Sequence, residues 1–418
     1  MKVKTKIKID RIIGKPVAYV LNICARTLGF LLGIDHSLSK PVKNIVVCKF
    51  MGMGSIIHAG PMLQTLRTSF PSARIIFVTS SVNREILELQ NLTDEIVTIN
   101  DGNFFGLILS SFTALLRLWR ININLYFDLE LYSYFSTILS TASLAINRFG
   151  YYRRSNKYRI GIYTHLMYFN TTAPLSQVYL QLCRMAGCKN VTETLPPLPV
   201  GEKETEGMKS KLRTKYSGIF PGQYMVINPN ASGLLPERRW GKNNFSEIIN
   251  ITGKKFPGLN IVLTGNTHEI PYTESILDNV TPEIRPCVIS TAGLLTVPEL
   301  VALISGCNLL LSCDSGPMHI GMALKKNTIG LFGPCSPAQY LIPSEKFLPL
   351  YRQVYCSPCV HQFDTPPCNG NNQCMQLISV KEVAGAVLYA LEKNILPGTG
   401  LPGEAVFNIA GIGEIRKA

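Results

Sequence analysis

Two doubly wound α/β domains are what this sequence predicts, and three observations carry the reading. Short apolar runs of strand length alternate with helical stretches from Lys43 onward, the pattern of a parallel sheet covered on both faces. The alternation restarts at Tyr224, after a segment marked by Pro196, Pro197 and Pro199. A chain of 418 residues with 46% hydrophobic content can also build two separate cores.

In the first set, Asn44–Cys48 reads as a strand and Ser55–Ser69 as a helix. Strand Arg74–Thr79, helix Asn83–Gln90 and strand Glu95–Ile99 follow, then helix Phe105–Leu118 and strand Asn124–Leu129. The charged stretch Glu202–Lys215 reads as part of a linker. The second set opens with strand Tyr224–Asn228, helix Phe245–Lys255, strand Asn260–Thr264 and helix Pro271–Asp278. Thr296 opens a further helix, with Glu299 placed to complete a capping box. Asn308–Leu311 is an apolar run of buried-strand length, and the helix Lys381–Leu391 closes the set. The expected boundaries are an extension over 1–43, a first domain over 44–200, a linker over 201–220, a second domain over 221–395 and a tail over 396–418.

The formal net charge is +14, and Lys2, Lys4, Lys6, Lys8, Arg11 and Lys15 face only Asp10 near the N-terminus. That balance suits an anionic partner. No DNA- or RNA-binding signature interleaves the charges, so nucleic acid is set aside in favour of lipid. Val17–Ile34 is apolar but interrupted by Asn22 and Arg26, whereas a span wants ~20 uninterrupted apolar residues. Val17, Val20, Leu21, Cys24, Leu28, Leu31 and Leu32 make one apolar helical face. After a basic stretch, this reads as an interfacial helix on an anionic membrane surface. A spanning anchor and a helix packed on the domain stay open; a cleaved signal peptide does not fit.

The richest stretch is Ser312–Pro334, SCDSGPMHIGMALKKNTIGLFGP. It reads as a strand end, a tight turn, a short helix and a second strand. Ser315 suits an N-cap, Gly316 permits close approach and Pro317 suits the first helical turn. A helix start of this kind attracts phosphate, and His319 adds a donor. Asp-Ser-Gly-Pro-Met-His followed by Leu-Phe-Gly-Pro resembles the signature of the ADP-heptose:lipopolysaccharide heptosyltransferases, glycosyltransferase family 9. Ile45–Arg67, Val226–Trp240 and Ile261–Glu269 fall in that family's order, and the resemblance covers residues 44 to 392.

The resemblance implies a GT-B architecture, two Rossmann-like domains facing a cleft, with the first on the acceptor side and the second holding the nucleotide sugar. It implies inverting transfer of heptose from ADP-heptose to a lipopolysaccharide-type glycolipid; an acceptor embedded in the inner leaflet fits the basic, apolar N-terminus, and with it a cytoplasmic enzyme peripheral on the inner face of the cell membrane. By match to the family, Asp314, Ser315, Gly316 and His319 hold the pyrophosphate, with Asp314 orienting the turn or His319. Arg239 occupies a phosphate-facing position and Arg238 stands beside it as an alternative. Glu269 matches a ribose-binding acid, and Asn228 and Gly265 lie in the same cluster of loops. For each of these an ordinary structural role stays open. No Asp-x-Asp follows an expected strand, which argues for a metal-independent leaving-group site with no cofactor required for catalysis.

On the acceptor side, Ser55 stands where family members carry an Asp thought to deprotonate the acceptor. A serine hydroxyl is no general base near neutrality without help. Glu130, after the strand that ends at Leu129, is the candidate replacement, with His58 a weaker one expected to pack inside. Another nucleotide sugar, or a non-catalytic scaffold of the same fold, remains open.

Of twelve cysteines, Cys356, Cys359, Cys368 and Cys374 cluster in the loop 356–374. Their spacing admits a structural zinc, free thiols or two disulfides, and a reducing compartment disfavours the last.

Overall fold

The structure is a computed structural model that describes residues 3–216, 222–231, 233, 235–340, 342, 344–360, 362–363 and 366–397. The chain divides into two units, residues 1–196 and 197–418. From residue 398 onward the expected tail lies outside the described residues, as does Lys2.

Unit 1 begins with α1 (Val3–Ile9), a π-helical turn at Asp10–Gly14 and α2 (Lys15–Leu32). Strand β1 (Asn44–Cys48) follows, then α3 (Met53–His58) and α4 (Gly60–Ser69), where one continuous helix was expected. The remainder is β2 (Arg74–Ser80), α5 (Arg84–Gln90), β3 (Glu95–Ile99), α6 (Phe104–Trp119), β4 (Leu125–Asp128), α7 (Tyr134–Ala142), β5 (Asn147–Tyr152), β6 (His165–Tyr168) and α8 (Leu175–Met185). The strands form a parallel six-stranded sheet in the order β3-β2-β1-β4-β5-β6. Ile45 to Cys48 are fully buried, as expected of a strand with helices on both faces.

Unit 2 starts with α9 (Glu202–Lys215), the stretch expected to be linker. Its Met208 and Leu212 are buried, and Lys211 Nζ lies 2.6 Å from Glu299 Oε2. Two apolar residues one turn apart in a charged stretch suffice to seat it, a signal too sparse to outweigh the charges in sequence. Next come β7 (Tyr224–Asn228), α10 (Lys242–Lys255), β8 (Asn260–Leu263), α11 (Ile270–Leu277), β9 (Val288–Ser290) and α12 (Val297–Gly306). The Thr296–Glu299 capping box forms at the start of α12. Then follow β10 (Leu309–Cys313), α13 (Gly316–Ala323), β11 (Thr328–Phe332), α14 (Pro337–Tyr340), β12 (Phe347–Tyr351), α15 (Gln373–Gln376) and α16 (Val380–Lys393). The order β12-β11-β10-β7-β8-β9 repeats the topology of unit 1. Each sheet therefore has a switch point where its first and fourth strands lie side by side, the place where such sheets bind ligands.

Candidate functional site

In unit 2 the switch point gathers the expected donor residues. Asn228, at the end of β7, donates to Ser312 Oγ at 2.9 Å and to Ser315 Oγ at 2.6 Å. Ser315 occupies the N-cap position of α13, but its hydroxyl turns to the Cys313 carbonyl and makes no capping bond. The helix start is left without a side-chain acceptor from Ser315, and Gly316 follows with no side chain of its own. That is a surface receptive to an anion.

Asp314 lies beneath this turn. Its Oδ1 is 3.7 Å from His319 Nε2, and its Oδ2 is 3.5 Å from Arg238 Nε. Burial opposes its ionisation, yet the Arg238 guanidinium and His319 outweigh that and hold its carboxyl down at about 2. Asp314 is thus placed to orient His319 and Arg238, while the His319 ring also meets Tyr340 edge-on at 5.0 Å.

The two arginines separate in role. Arg238 is tied to Asp314, whereas Arg239 lays its guanidinium over the Tyr272 ring at 4.0 Å. The buried Nε of Arg239 has no hydrogen-bond partner among the described residues, so it is a donor available to a ligand. Glu269 completes a second capping box: its Oε2 accepts from Asn266 N at 2.8 Å, and burial raises its pKa. Gly265 permits a close approach here, since a Cβ would come within 2.7 Å of the Asn230 Nδ2 side-chain atom and force it to shift.

A feature not anticipated from sequence is the tie between the cysteine loop and the arginine turn. Asn372 Nδ2 donates to the carbonyls of Glu237 and Arg239 at 2.7 and 2.8 Å. Trp240 Nε1 donates to Ile378 O at 2.8 Å. Cys356, Cys359, Cys368 and Cys374 line one cavity of about 210 Å³ beside Asn372. All four are free thiols, and burial raises Cys359 and Cys374, helped by the neighbouring thiols. Among the described residues no three His, Cys, Asp or Glu side chains are spaced to hold a metal ion.

In unit 1 the same position in the fold is closed. Gly52 adopts φ +88°, a glycine conformation that turns the loop after β1. Glu130 Oε1 accepts from Phe50 N at 2.8 Å and Met51 N at 2.9 Å, and its Oε2 pairs with Lys49 Nζ at 3.0 Å. Glu130 therefore anchors the Gly52 loop, and acting as a proton acceptor would require one of these bonds to open. Ser55 shares a hydrogen bond with Tyr179, and His58 is fully buried. Asp128 is sealed below by Arg159, Ser136 and the Tyr163 hydroxyl. No short motif announces Arg159, Tyr163 or Lys49 in sequence; the connection between β5 and β6 and the end of β1 bring them to these carboxylates only in the folded unit.

Two doubly wound parallel sheets, one with an anion-receptive helix start, define a doubly wound α/β class of the kind that binds ligands at its switch points. Within it the chain belongs to glycosyltransferase family 9 (heptosyltransferase), whose sequence profile matches residues 133–368. It is similar to lipooligosaccharide heptosyltransferase 2 of Haemophilus influenzae, 32% identical over 108 residues, or 26% of this chain and 30% of that protein. It thus spans under a third of that relative. A match of 25% identity to lipopolysaccharide heptosyltransferase 3 of Escherichia coli covers 67% of this chain and 80% of the relative. The fold is shared with a solved family 9 glycosyltransferase from Veillonella parvula, at TM-score 0.70 and 18% identity, covering 84% of this chain and 98% of that one.

Proposed function

We propose that this protein is a glycosyltransferase that moves heptose from ADP-heptose to a lipopolysaccharide-type glycolipid. Transfer is inverting and needs no metal, and the enzyme works at the cytoplasmic face of the inner membrane. The observation that carries the reading is the set of donor groups at the start of α13 and on the neighbouring arginine turn. Arg239 offers an unpartnered buried donor, and Arg238 and His319 are held in place by Asp314. Such groups stabilise a departing nucleoside diphosphate because its negative charge grows as the glycosidic bond breaks. The acceptor hydroxyl attacks the anomeric carbon, inverting it, and the diphosphate leaves into this pocket. Membership of the heptosyltransferase family supports the choice of sugar.

Calorimetry of ADP, UDP, GDP and CDP against the full chain with EDTA present tests the reading. Selective ADP binding that is lost in His319→Ala supports it. Preference for another nucleotide discards the heptose donor, and binding of none leaves a scaffold.

The cysteine cavity is proposed as a structural zinc position, distinct from catalysis. Its donor set of four thiols suits zinc, although the side chains do not close around an ion in this structure. Zinc there would steady Asn372 and, through it, the arginine turn. Elemental analysis of the purified protein finding no zinc would remove this part alone.

A further inference from the structure

Two helices of unit 1 turn apolar faces outward. Helix α2 is inverted relative to an ordinary surface helix. Ala18, Asn22, Ala25 and Gly29, spaced by three or four, form its buried and half-buried side. Asn22 Nδ2 donates to the carbonyls of Tyr158 and Ile160 at 2.7 and 2.6 Å. Its large apolar residues face away, with Ile23 67%, Phe30 87% and Leu31 70% exposed. Asn22, one of the two polar interruptions that argue against a membrane span, is thus a group that docks the helix on the protein.

Helix α6 carries large apolar residues on two sides, one more than a surface helix ordinarily shows. Leu107, Ala114, Leu115 and Leu118 pack into the core of unit 1. On the other side Phe105, Ile108, Leu109, Phe112, Leu116 and Trp119 recur at helical spacing and are all exposed. Both α2 and α6 pack against α7. The crossovers from β3 to β4 and from β4 to β5 run the same way across the sheet, so their helices share one face. Lys6 Nζ bonds Asp101 at 2.6 Å, just before α6, and ties the N-terminal segment to the same side.

Charge identifies what covers this face. The first 34 residues hold seven Lys and Arg and one acid, Asp10. Asp10 is turned inward, accepting from Tyr134 N and Phe135 N at the start of α7 at 3.0 and 2.7 Å. Neither α2 nor α6 contains an acidic residue; Arg117 of α6 pairs with Glu95, and Arg120 follows directly after the helix. A second copy would present the same positive charge and be repelled. A bilayer bearing anionic headgroups supplies both hydrocarbon for the stripes and negative charge for the bases.

We propose that α6 and α2 form one docking face for an anionic bilayer, with α6 as a second insertion element. The proposal shares the membrane placement of the function proposed above, but α6 stands on its own exposure. The test is co-sedimentation of the full chain with phosphatidylcholine vesicles with and without phosphatidylglycerol. Leu109→Gln/Phe112→Gln alters α6, Val20→Gln/Leu31→Gln alters α2, and circular dichroism checks that each variant folds. Each pair is expected to weaken partition into phosphatidylglycerol vesicles about tenfold or more, leaving ADP affinity unchanged. Normal partition by the α6 pair alongside a loss in the α2 pair overturns the role of α6 and spares the N-terminal helix. No vesicle binding by the parent chain overturns the docking face altogether. So does self-association, by sedimentation velocity, that only the α6 pair breaks. ADP binding, measured on the same samples, reports separately on the donor site.

Discussion

The two units repeat one strand order, but the polar groups at their switch points meet different fates. In unit 1 the carboxylates at the end of β4 and just beyond it are consumed internally: Asp128 by Arg159, Ser136 and Tyr163, and Glu130 by Lys49 and two loop amides. In unit 2 Asp314, one residue past β10, holds Arg238 and His319 at a helix start that Ser315 does not cap. The same topology yields a closed scaffold in one unit and a receptive site in the other. Topology sets where a site can be, and the pairing of side chains decides whether it is open.

The largest test of that contrast is Arg159→Ala. It leaves Asp128 buried without its cation, and a loss of about 3–5 kcal/mol in urea unfolding is expected. A loss below about 1 kcal/mol would mean that the cluster is not closed scaffold. Arg239→Ala should weaken ADP binding by roughly 10- to 100-fold in calorimetry, since a charged hydrogen bond contributes about 1.5–3 kcal/mol. Its fold should be little changed, because Arg239 is engaged mainly by the Tyr272 ring.

Acid titration gives an intermediate effect. Asp314 is held at about 2 in the folded protein, below the ordinary 3.8. A carboxyl depressed on folding adds stability above its unfolded value, and that stability is lost as pH falls. The contribution, roughly 2 kcal/mol, should therefore disappear between about pH 4 and pH 2. Asp314→Asn should flatten that part of the stability profile. The smallest expected effect is Glu130→Gln, which keeps an oxygen for the Phe50 and Met51 amides. As a loop anchor it should lose less than about tenfold in turnover, whereas a general base would lose roughly 10²–10⁴.

Much of unit 2 was legible in the sequence because its signals are local. The Thr296 box, the turn at Asp314–Pro317 and the β7 and β10 strands each depend on residues within a few positions of one another. The region after Glu130 was less legible. β5, β6, α7 and α8 carry mixed, short patterns, and their partners, such as Tyr163 for Asp128, are distant in sequence. The charged composition of Glu202–Lys215 concealed a helix seated by two buried side chains and one ion pair.

The sequence by itself determined the alternation of strands and helices, the double-domain plan and the anion-receptive turn, because hydrophobic periodicity and turn chemistry act over a few residues. Tertiary structure alone decided that Glu130 is bound on both oxygens, that Arg238 and Arg239 divide their roles, and that the large side chains of α2 and α6 face outward. Each of those outcomes depends on groups far apart in the chain, and only packing brings them within hydrogen-bonding distance or leaves them exposed.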